Sequence, residues 1–277
     1  MKAFVSKNIA SEFVKATNVE AISLEPYEML DNPVSTHADM LIFIMEEKLF
    51  CYDDYYKQNG EIFDAVRTLG YEIITVSKKC QREYPNDIAL NVLLIGKKLF
   101  GSLKNIASEI LDIATKKEYK LIDVKQGYSA CATLVLDEKN VITADKGIYN
   151  AVTKEGIDAL LITEGNIGID KYNYGFIGGA SFVLDDTVYF FGNIKKHPDY
   201  EKINQKINSC GKRIALISSG DVFDFGGSRL VFNLKKQWKV VDFSKIDGFF
   251  DFLTKKLLKY YKKYWQSFIF MIYFIYK

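Results

Sequence analysis

Three residues in this chain could together carry out nucleophilic chemistry: Cys131, His37 and Asp39. A cysteine attacks as its thiolate, and a histidine can move protons near neutral pH. The chain has two histidines, and the second, His197, lies before a predicted helix and away from the loops that carry the other candidates. If a histidine works with a cysteine here, the sequence predicts that His37 works with Cys131.

An internal repeat relates these residues to others along the chain. Asp39, Asp87, Cys131, Gly179 and Gly227 each stand where a polar loop enters an apolar strand, at successive intervals of 48, 44, 48 and 48 residues. Self-similarity at a period of this length indicates a repeat architecture. The repeat aligns two carboxylates, one thiol and two glycines, and glycine lets a ligand or a backbone approach closely.

Each copy of the repeat predicts the same order of elements: a strand, a loop, a hairpin and a helix. The fold class is therefore α/β, and five such units around an axis would form a five-fold pseudosymmetric ββαβ propeller. The loops would then converge on one shared cleft. The fifth unit lacks a clear hairpin partner, unless residues 238–241 supply it. The N-terminal segment 3–17 could close this unit instead, which would leave no open sheet edge.

The composition of the chain limits its expected location, partners and cofactors. The four cysteines lie far apart and suit free thiols in a reducing compartment, and the first residues lack the apolar core of a signal peptide, so a cytoplasmic location is expected. Residues 1–242 hold 30 basic and 33 acidic groups, which argues against a nucleic-acid partner. No metal site is expected, because the histidines and cysteines lack ligand spacing. No cofactor is predicted.

The chain divides into a five-unit domain at 1–242 and a basic, aromatic C-terminal extension at 243–277. The extension carries seven lysines against two aspartates, and it ends in an apolar run of nine residues, too short to span a bilayer. Two interpretations stay open. The extension either contacts a membrane surface or a partner, or it is an appended tail that packs on the ring or is poorly ordered.

The motifs in residues 1–242 resemble those of the pentein, or guanidino-group-modifying, superfamily (the α/β-propeller fold). The resemblance rests on His37-Ala38-Asp39 and on the run Gly127-Tyr128-Ser129-Ala130-Cys131-Ala132-Thr133, two units later. More closely, the segments 127–145 and 175–181 resemble an uncharacterised bacterial branch of that fold. In the enzymes the two motifs usually lie in the third and fifth units, so the present order corresponds to a circular shift.

The resemblance implies a cysteine-dependent hydrolase or transferase that acts on a small cationic substrate with a guanidino or amidine group. Cys131 would attack the guanidinium carbon to form a thiouronium-like intermediate, activated by a nearby cation or by His37. His37 would protonate the leaving amine, and Asp39 would hold the guanidinium. Two acidic elements of the family are incomplete here, so Asp87, Glu164 or Asp221 would bind the substrate in their place. Gly179 and Gly227 are the other predicted substrate-binding residues, because glycine lets a ligand approach closely.

Each candidate residue also has a purely structural interpretation. Cys131 could be a small buried hydrophobic residue at a strand start, His37 a loop residue that satisfies backbone groups, and Asp39 a turn residue. The alternative function is therefore a non-catalytic member of the fold that binds a ligand or a protein, because a fold does not determine a function. The sequence leaves the oligomeric state open.

Overall fold

The strands in residues 1–237, the part of the chain that the computed structural model describes, form five sheets of three strands each. In four of the sheets, two consecutive strands form an antiparallel hairpin, and the next strand in the chain pairs parallel to the second hairpin strand. The strands are β1 (Lys2–Ser6), β2 (Glu20–Leu24), β3 (Phe43–Met45), β4 (Lys48–Tyr52), β5 (Glu72–Val76), β6 (Leu93–Ile95), β7 (Lys98–Gly101), β8 (Lys120–Asp123), β9 (Thr133–Asp137), β10 (Asn140–Thr143), β11 (Asp158–Leu161), β12 (Ser181–Leu184), β13 (Thr187–Phe190), β14 (Arg213–Leu216) and β15 (Ser228–Val231).

The three longest helices in the described residues each bury one face. The pairs Ile110 with Ala114, Ile148 with Val152, and Ile203 with Ile207 are buried and spaced four residues apart, which places each pair on one side of its helix. The α-helices are α1 (Ala10–Thr17), α2 (Ala38–Leu41), α3 (Asp53–Gln58), α4 (Gly60–Arg67), α5 (Ser108–Lys116), α6 (Lys146–Lys154), α7 (Tyr200–Ser209) and α8 (Leu234–Gln237), with 3-10 turns at Asn32–Val34 and Ile194–Lys196.

The sheet that contains the C-terminal strand is completed from the N-terminus. β1 lies in the middle of this sheet, with β15 antiparallel on one side and β2 parallel on the other. Phe4 is paired with Arg229 across the first ladder and with Ile22 across the second. These pairings confirm the prediction that the N-terminal segment closes the fifth unit, and residues 238–241 lie outside the described part of the chain.

A channel of about 380 Å³ is lined by one edge strand from each of the five sheets. The lining includes residues of β3, β6, β9, β12 and β15, among them Phe43, Leu93, Thr133, Ser181 and Ser228. Five equivalent strands around one channel are what a pseudo-five-fold repeat requires. The α/β fold with five small sheets therefore agrees with the architecture predicted from the repeat.

The register of the repeat differs from the one predicted from the sequence. The strands that line the channel begin at Phe43, Leu93, Thr133, Ser181 and Ser228, so their spacings are 50, 40, 48 and 47 residues. On this register Cys131 is equivalent to neither Asp39 nor Asp87. The loops before the strands differ in length, and only the hydrogen-bond ladders show where each strand begins.

The segment around Asp39 is also corrected. A hairpin strand was expected from Met40, with His37 and Asp39 on one side of an extended segment. Instead, Ala38–Leu41 form a helical turn, in which the Ile42 N–H donates to the Ala38 carbonyl at 2.9 Å. The same turn recurs before β9 and β12, where Ala132 N–H donates to the Tyr128 carbonyl and Ala180 N–H to the Phe176 carbonyl, each at 2.9 Å. This turn sets the direction of the side chains that precede each strand.

Residues 1–234 form one compact unit. The predicted boundary between 242 and 243 and the predicted basic C-terminal extension lie outside the described residues. Within residues 1–237 no helix is long and apolar enough to cross a membrane.

Candidate functional site

His37, Cys131 and Asp224 line one cavity of about 240 Å³. His37 immediately precedes α2, Cys131 lies two residues before β9, and Asp224 lies four residues before β15. Three different repeat units thus each deliver one polar side chain to the same space. The rest of the lining is largely aromatic or apolar: Val34, Met40, Tyr128, Ile169, Tyr172, Asn173, Tyr174 and Phe176.

Cys131 is held in place by Asn91. The Asn91 side-chain oxygen accepts hydrogen bonds from the backbone N–H groups of Ala130 at 2.8 Å and Cys131 at 3.3 Å. The Asn91 Nδ2 group lies 2.8 Å from the Cys131 sulfur and also donates to the Asp39 carbonyl at 3.2 Å. One amide therefore fixes the turn that carries the cysteine and presents an N–H to the sulfur.

Asp39 is a buried carboxylate with no hydrogen-bond partner among the described residues. Its side chain is 1% exposed, and neither of its carboxylate oxygens is paired. Buried polar atoms in folded proteins are nearly always hydrogen-bonded, because desolvation without a partner is costly. The Asp39 side chain does not line the cavity, but it lies close enough to Cys131 to affect the pKa of that thiol.

The Cys131 thiol lies near two acidic side chains, Asp39 and Asp224. Burial raises the pKa of Cys131 well above its ordinary value, the carboxylates of Asp39 and Asp224 raise it further, and the Asn91 hydrogen bond opposes the shift. Among the described residues no cation contributes to this shift, so activation of Cys131 by a nearby cation or by His37 stays a prediction. The resting cysteine is a thiol.

His37 and Asp224 form a buried pair, with 3.7 Å between His37 Nδ1 and Asp224 Oδ1. Burial lowers the pKa of His37, although the charge of Asp39 acts in the opposite direction. Burial, and then the charge of Asp39, raises the pKa of Asp224 to about 8, against the effect of two backbone N–H donors, Phe176 at 2.8 Å and Gly226 at 2.9 Å. At neutral pH the pair holds a neutral imidazole and a largely protonated carboxyl group.

Two glycines make room for these side chains. A Cβ atom on Gly179 would lie 2.0 Å from Asp224 Oδ1, and one on Gly226, where φ is +78°, would lie 2.3 Å from the His37 Cβ. The predicted substrate-binding residue Gly179 therefore lies against Asp224 and does not line the cavity. Gly227 donates its N–H to the Gly179 carbonyl at 2.7 Å, which joins the two loops behind the site.

The other predicted substrate-binding residues do not line the cavity either. Asp87 is buried and accepts a hydrogen bond from the Tyr128 hydroxyl at 2.6 Å. Glu164 accepts one from the Tyr174 hydroxyl at 3.3 Å. Asp87 and Glu164 thus lie behind the cavity wall, each hydrogen-bonded to a tyrosine that lines the cavity. Asp221 is exposed and pairs with Lys196 at 2.5 Å, away from the cavity.

Sequence reasoning missed Asp224 and Asn91, although the correct repeat register points to both. Asp39 and Asp224 each lie four residues before the first residue of the following strand. Cys131 and Asn91 each lie two residues before theirs. The two carboxylates therefore occupy equivalent positions in neighbouring units, and so do the cysteine and the amide that holds it.

Several solved structures have a fold similar to that of this chain. A cysteine-to-serine variant of dimethylarginine dimethylaminohydrolase from Pseudomonas aeruginosa, complexed with citrulline, is similar at a TM-score of 0.51 and 10% identity, covering 79% of this chain and 92% of that one. An amidinotransferase of a saxitoxin pathway from Microseira wollei has a TM-score of 0.52 and 11% identity, covering 82% and 79%. A substrate-bound variant of C. jejuni agmatine deiminase has a TM-score of 0.50 and 10% identity, covering 82% and 92%.

These neighbours are guanidino-group-modifying enzymes, and the fold is that of the pentein superfamily. The chain belongs to DUF6873, a family of unknown function whose model matches residues 4–228. No curated protein sequence matches the chain.

Proposed function

We propose that this protein is a cysteine-dependent hydrolase or transferase that acts on the guanidino or amidine group of a small cationic molecule. The observation that carries the proposal is the convergence of Cys131, His37 and Asp224 at one cavity, with the buried Asp39 close enough to Cys131 to raise its pKa. A thiol nucleophile and a proton carrier beside buried acidic groups suit attack on a carbon that bears a delocalised cation.

Substrate charge supplies the activation that the resting site lacks. A guanidinium beside Asp39 compensates the carboxylate that keeps the Cys131 pKa high, and the thiol proton can then move to His37. Because the carboxylates stay buried and prearranged, they stabilise the cation without reorganising. Binding of the cationic substrate thus also activates the Cys131 thiol.

The reaction then proceeds in two displacements. The Cys131 sulfur bonds to the guanidinium carbon, the bond from that carbon to the leaving amine breaks, and His37 protonates the amine. In the hydrolase a water molecule next attacks the thiouronium carbon and loses a proton to His37. The carbon–sulfur bond breaks, which releases a ureido or amide product and restores the cysteine. In the transferase an amine takes the place of this water.

Selective alkylation tests the nucleophile. Chloroacetamidine carries an amidinium group, and the thiolate displaces its chloride. All four cysteines in the described residues are free, and Cys210 is more exposed than the other three. We expect Cys131 to be labelled at least about tenfold faster than Cys210, because the carboxylates concentrate the cationic probe. Faster labelling of Cys210 would contradict the proposal, and Cys131→Ala is the control for peptide assignment.

The second candidate is a non-catalytic binding protein with the same cavity. The raised pKa of Cys131 and the lowered pKa of His37 favour it, because the resting site keeps both groups neutral. Binding of a guanidine to wild type and to Cys131→Ala, measured by calorimetry beside a turnover assay, separates the two. Equal binding with no turnover of any guanidine or amidine indicates the binding protein.

A further inference from the structure

Three tyrosines in the cavity wall each donate a hydrogen bond to a carboxylate outside the cavity. Tyr128 donates to Asp87 at 2.6 Å, Tyr172 to Asp31 at 2.8 Å, and Tyr174 to Glu164 at 3.3 Å. All three tyrosines line the cavity, and none of the three acceptors does. The cavity wall is therefore aromatic on this side, and three acidic side chains lie behind it.

This arrangement fixes the polarity of the wall. Burial, and then the bonded carboxylate, raises the pKa of Tyr128 and raises that of Tyr172 to about 12. Each phenolic hydrogen is committed to its carboxylate and cannot also be donated into the cavity. What the rings offer to a ligand is their faces and their oxygen lone pairs, both of which attract cations.

The described residues that line the cavity include no lysine or arginine, while Asp224 lines it and Asp39 lies close to Cys131. A carboxylate on the ligand would find no cationic partner among these residues and would lie near acidic side chains, and both effects disfavour binding.

From these contacts we infer that the cavity selects guanidines or amidines that bear no carboxylate, so that free amino acids with a guanidino side chain are excluded. The inference rests on the proposed function and specifies its substrate class. The volume of about 240 Å³ and the apolar side chains of Val34, Met40 and Ile169 suit a small cation with a hydrocarbon body.

Matched ligands test the inference without requiring turnover. Butylguanidine and guanidinobutyrate differ at one end by a carboxylate, and agmatine and arginine differ in the same way. Each ligand competes with alkylation of Cys131 by iodoacetamide, and the concentration that halves the rate gives its affinity. We expect the carboxylate-free member of each pair to bind at least about tenfold more tightly.

A charge-insertion variant provides the second measurement. Asn173 lines the cavity, and Asn173→Arg places a guanidinium where a ligand carboxylate could pair with it. We expect the preference for butylguanidine over guanidinobutyrate to fall at least about tenfold in this variant. Asn166→Arg, which adds the same charge to the same loop but does not face this cavity, should keep the preference.

The outcomes separate this inference from the proposed function. Equal or tighter binding of guanidinobutyrate and arginine in wild type overturns the inference, even if they are turned over. If none of the four ligands slows the alkylation of Cys131, the inference is also wrong. If carboxylate-free ligands are preferred but no guanidine or amidine reacts, the selectivity stands and the catalytic proposal fails.

Discussion

Asn91 and Cys131 occupy the same position in neighbouring repeat units and contact each other, with 2.8 Å between Asn91 Nδ2 and the Cys131 sulfur. The repeat has therefore placed the candidate nucleophile in one copy and the amide that positions it in the copy before. The amide also caps the turn before β9 through two backbone N–H groups. Replacing Asn91 should therefore change both the conformation of the turn that carries Cys131 and the reactivity of its thiol.

Asn91→Asp should raise the pKa of Cys131 further. The change keeps the shape of the side chain but replaces an N–H donor with a negative charge 2.8 Å from the sulfur. The pH dependence of iodoacetamide alkylation measures the pKa, and we expect its midpoint to move upward by about one unit or more. Asn208→Asp, the same change on the exposed face of α7, should leave the midpoint in place.

Asp39→Asn should lower the pKa of Cys131 and at the same time weaken the attraction of cations. Asp39 is the largest charge contribution to the raised pKa of the thiol. Neutral iodoacetamide should therefore react faster than in wild type at mildly alkaline pH, while the advantage of chloroacetamidine over iodoacetamide should fall. A variant that loses reactivity toward both reagents would show that Asp39 serves mainly to hold the fold.

Asp224→Asn should flatten the dependence of stability on pH. Because the folded-state pKa of Asp224 is raised to about 8, the folded protein keeps a proton that the unfolded chain releases near its ordinary pKa. This contribution to stability is present at low pH and is lost as pH rises toward about 8. The slope removed by the substitution is at most about 1.4 kcal/mol per pH unit.

Urea unfolding at a series of pH values measures this slope. Asp221→Asn is the matched control, because it is the same change three residues earlier at an exposed side chain. An unchanged slope in Asp224→Asn, or an equal change in the control, would show that Asp224 is ionised in the folded protein.

Gly179→Ala should disturb the site through Asp224. The new Cβ atom would lie 2.0 Å from Asp224 Oδ1, so the carboxyl group must move or the loop must shift. We expect a loss of about 1–3 kcal/mol in the free energy of unfolding, together with slower alkylation of Cys131. Gly220→Ala is the control, since a Cβ atom there meets nothing within 4 Å, and it should be close to neutral.

Much of the architecture could be predicted because its signals are local. The five turn-and-strand segments, the hairpins and the one-sided helices follow from apolar spacings of two and four residues. The pairing of His37 with Cys131 as candidates followed from there being two histidines and one suitable loop. Their presence at one cavity agrees with that prediction, and their catalytic role stays a proposal.

The register of the repeat required the hydrogen-bond ladders. Loops of unequal length precede the strands, so Asp87 and Gly227 aligned with Asp39 in the sequence but not in the sheets. The true equivalents, Asp39 with Asp224 and Cys131 with Asn91, appear once each strand has a defined first residue. A difference of three residues in register, between Gly227 and Asp224, was enough to hide the second acidic residue of the site.

The sequence by itself determined which residue types were available for chemistry and which repeat units carry them, because both follow directly from the order of residues. The tertiary structure decided their charge states and neighbours: the raised pKa values of Cys131 and Asp224, the unpaired oxygens of Asp39, and the exposure of Asp221. These properties arise from burial and from groups that come together across large separations in sequence. A local pattern contains no information about how much water remains around a side chain, and that water sets the energy of its charge.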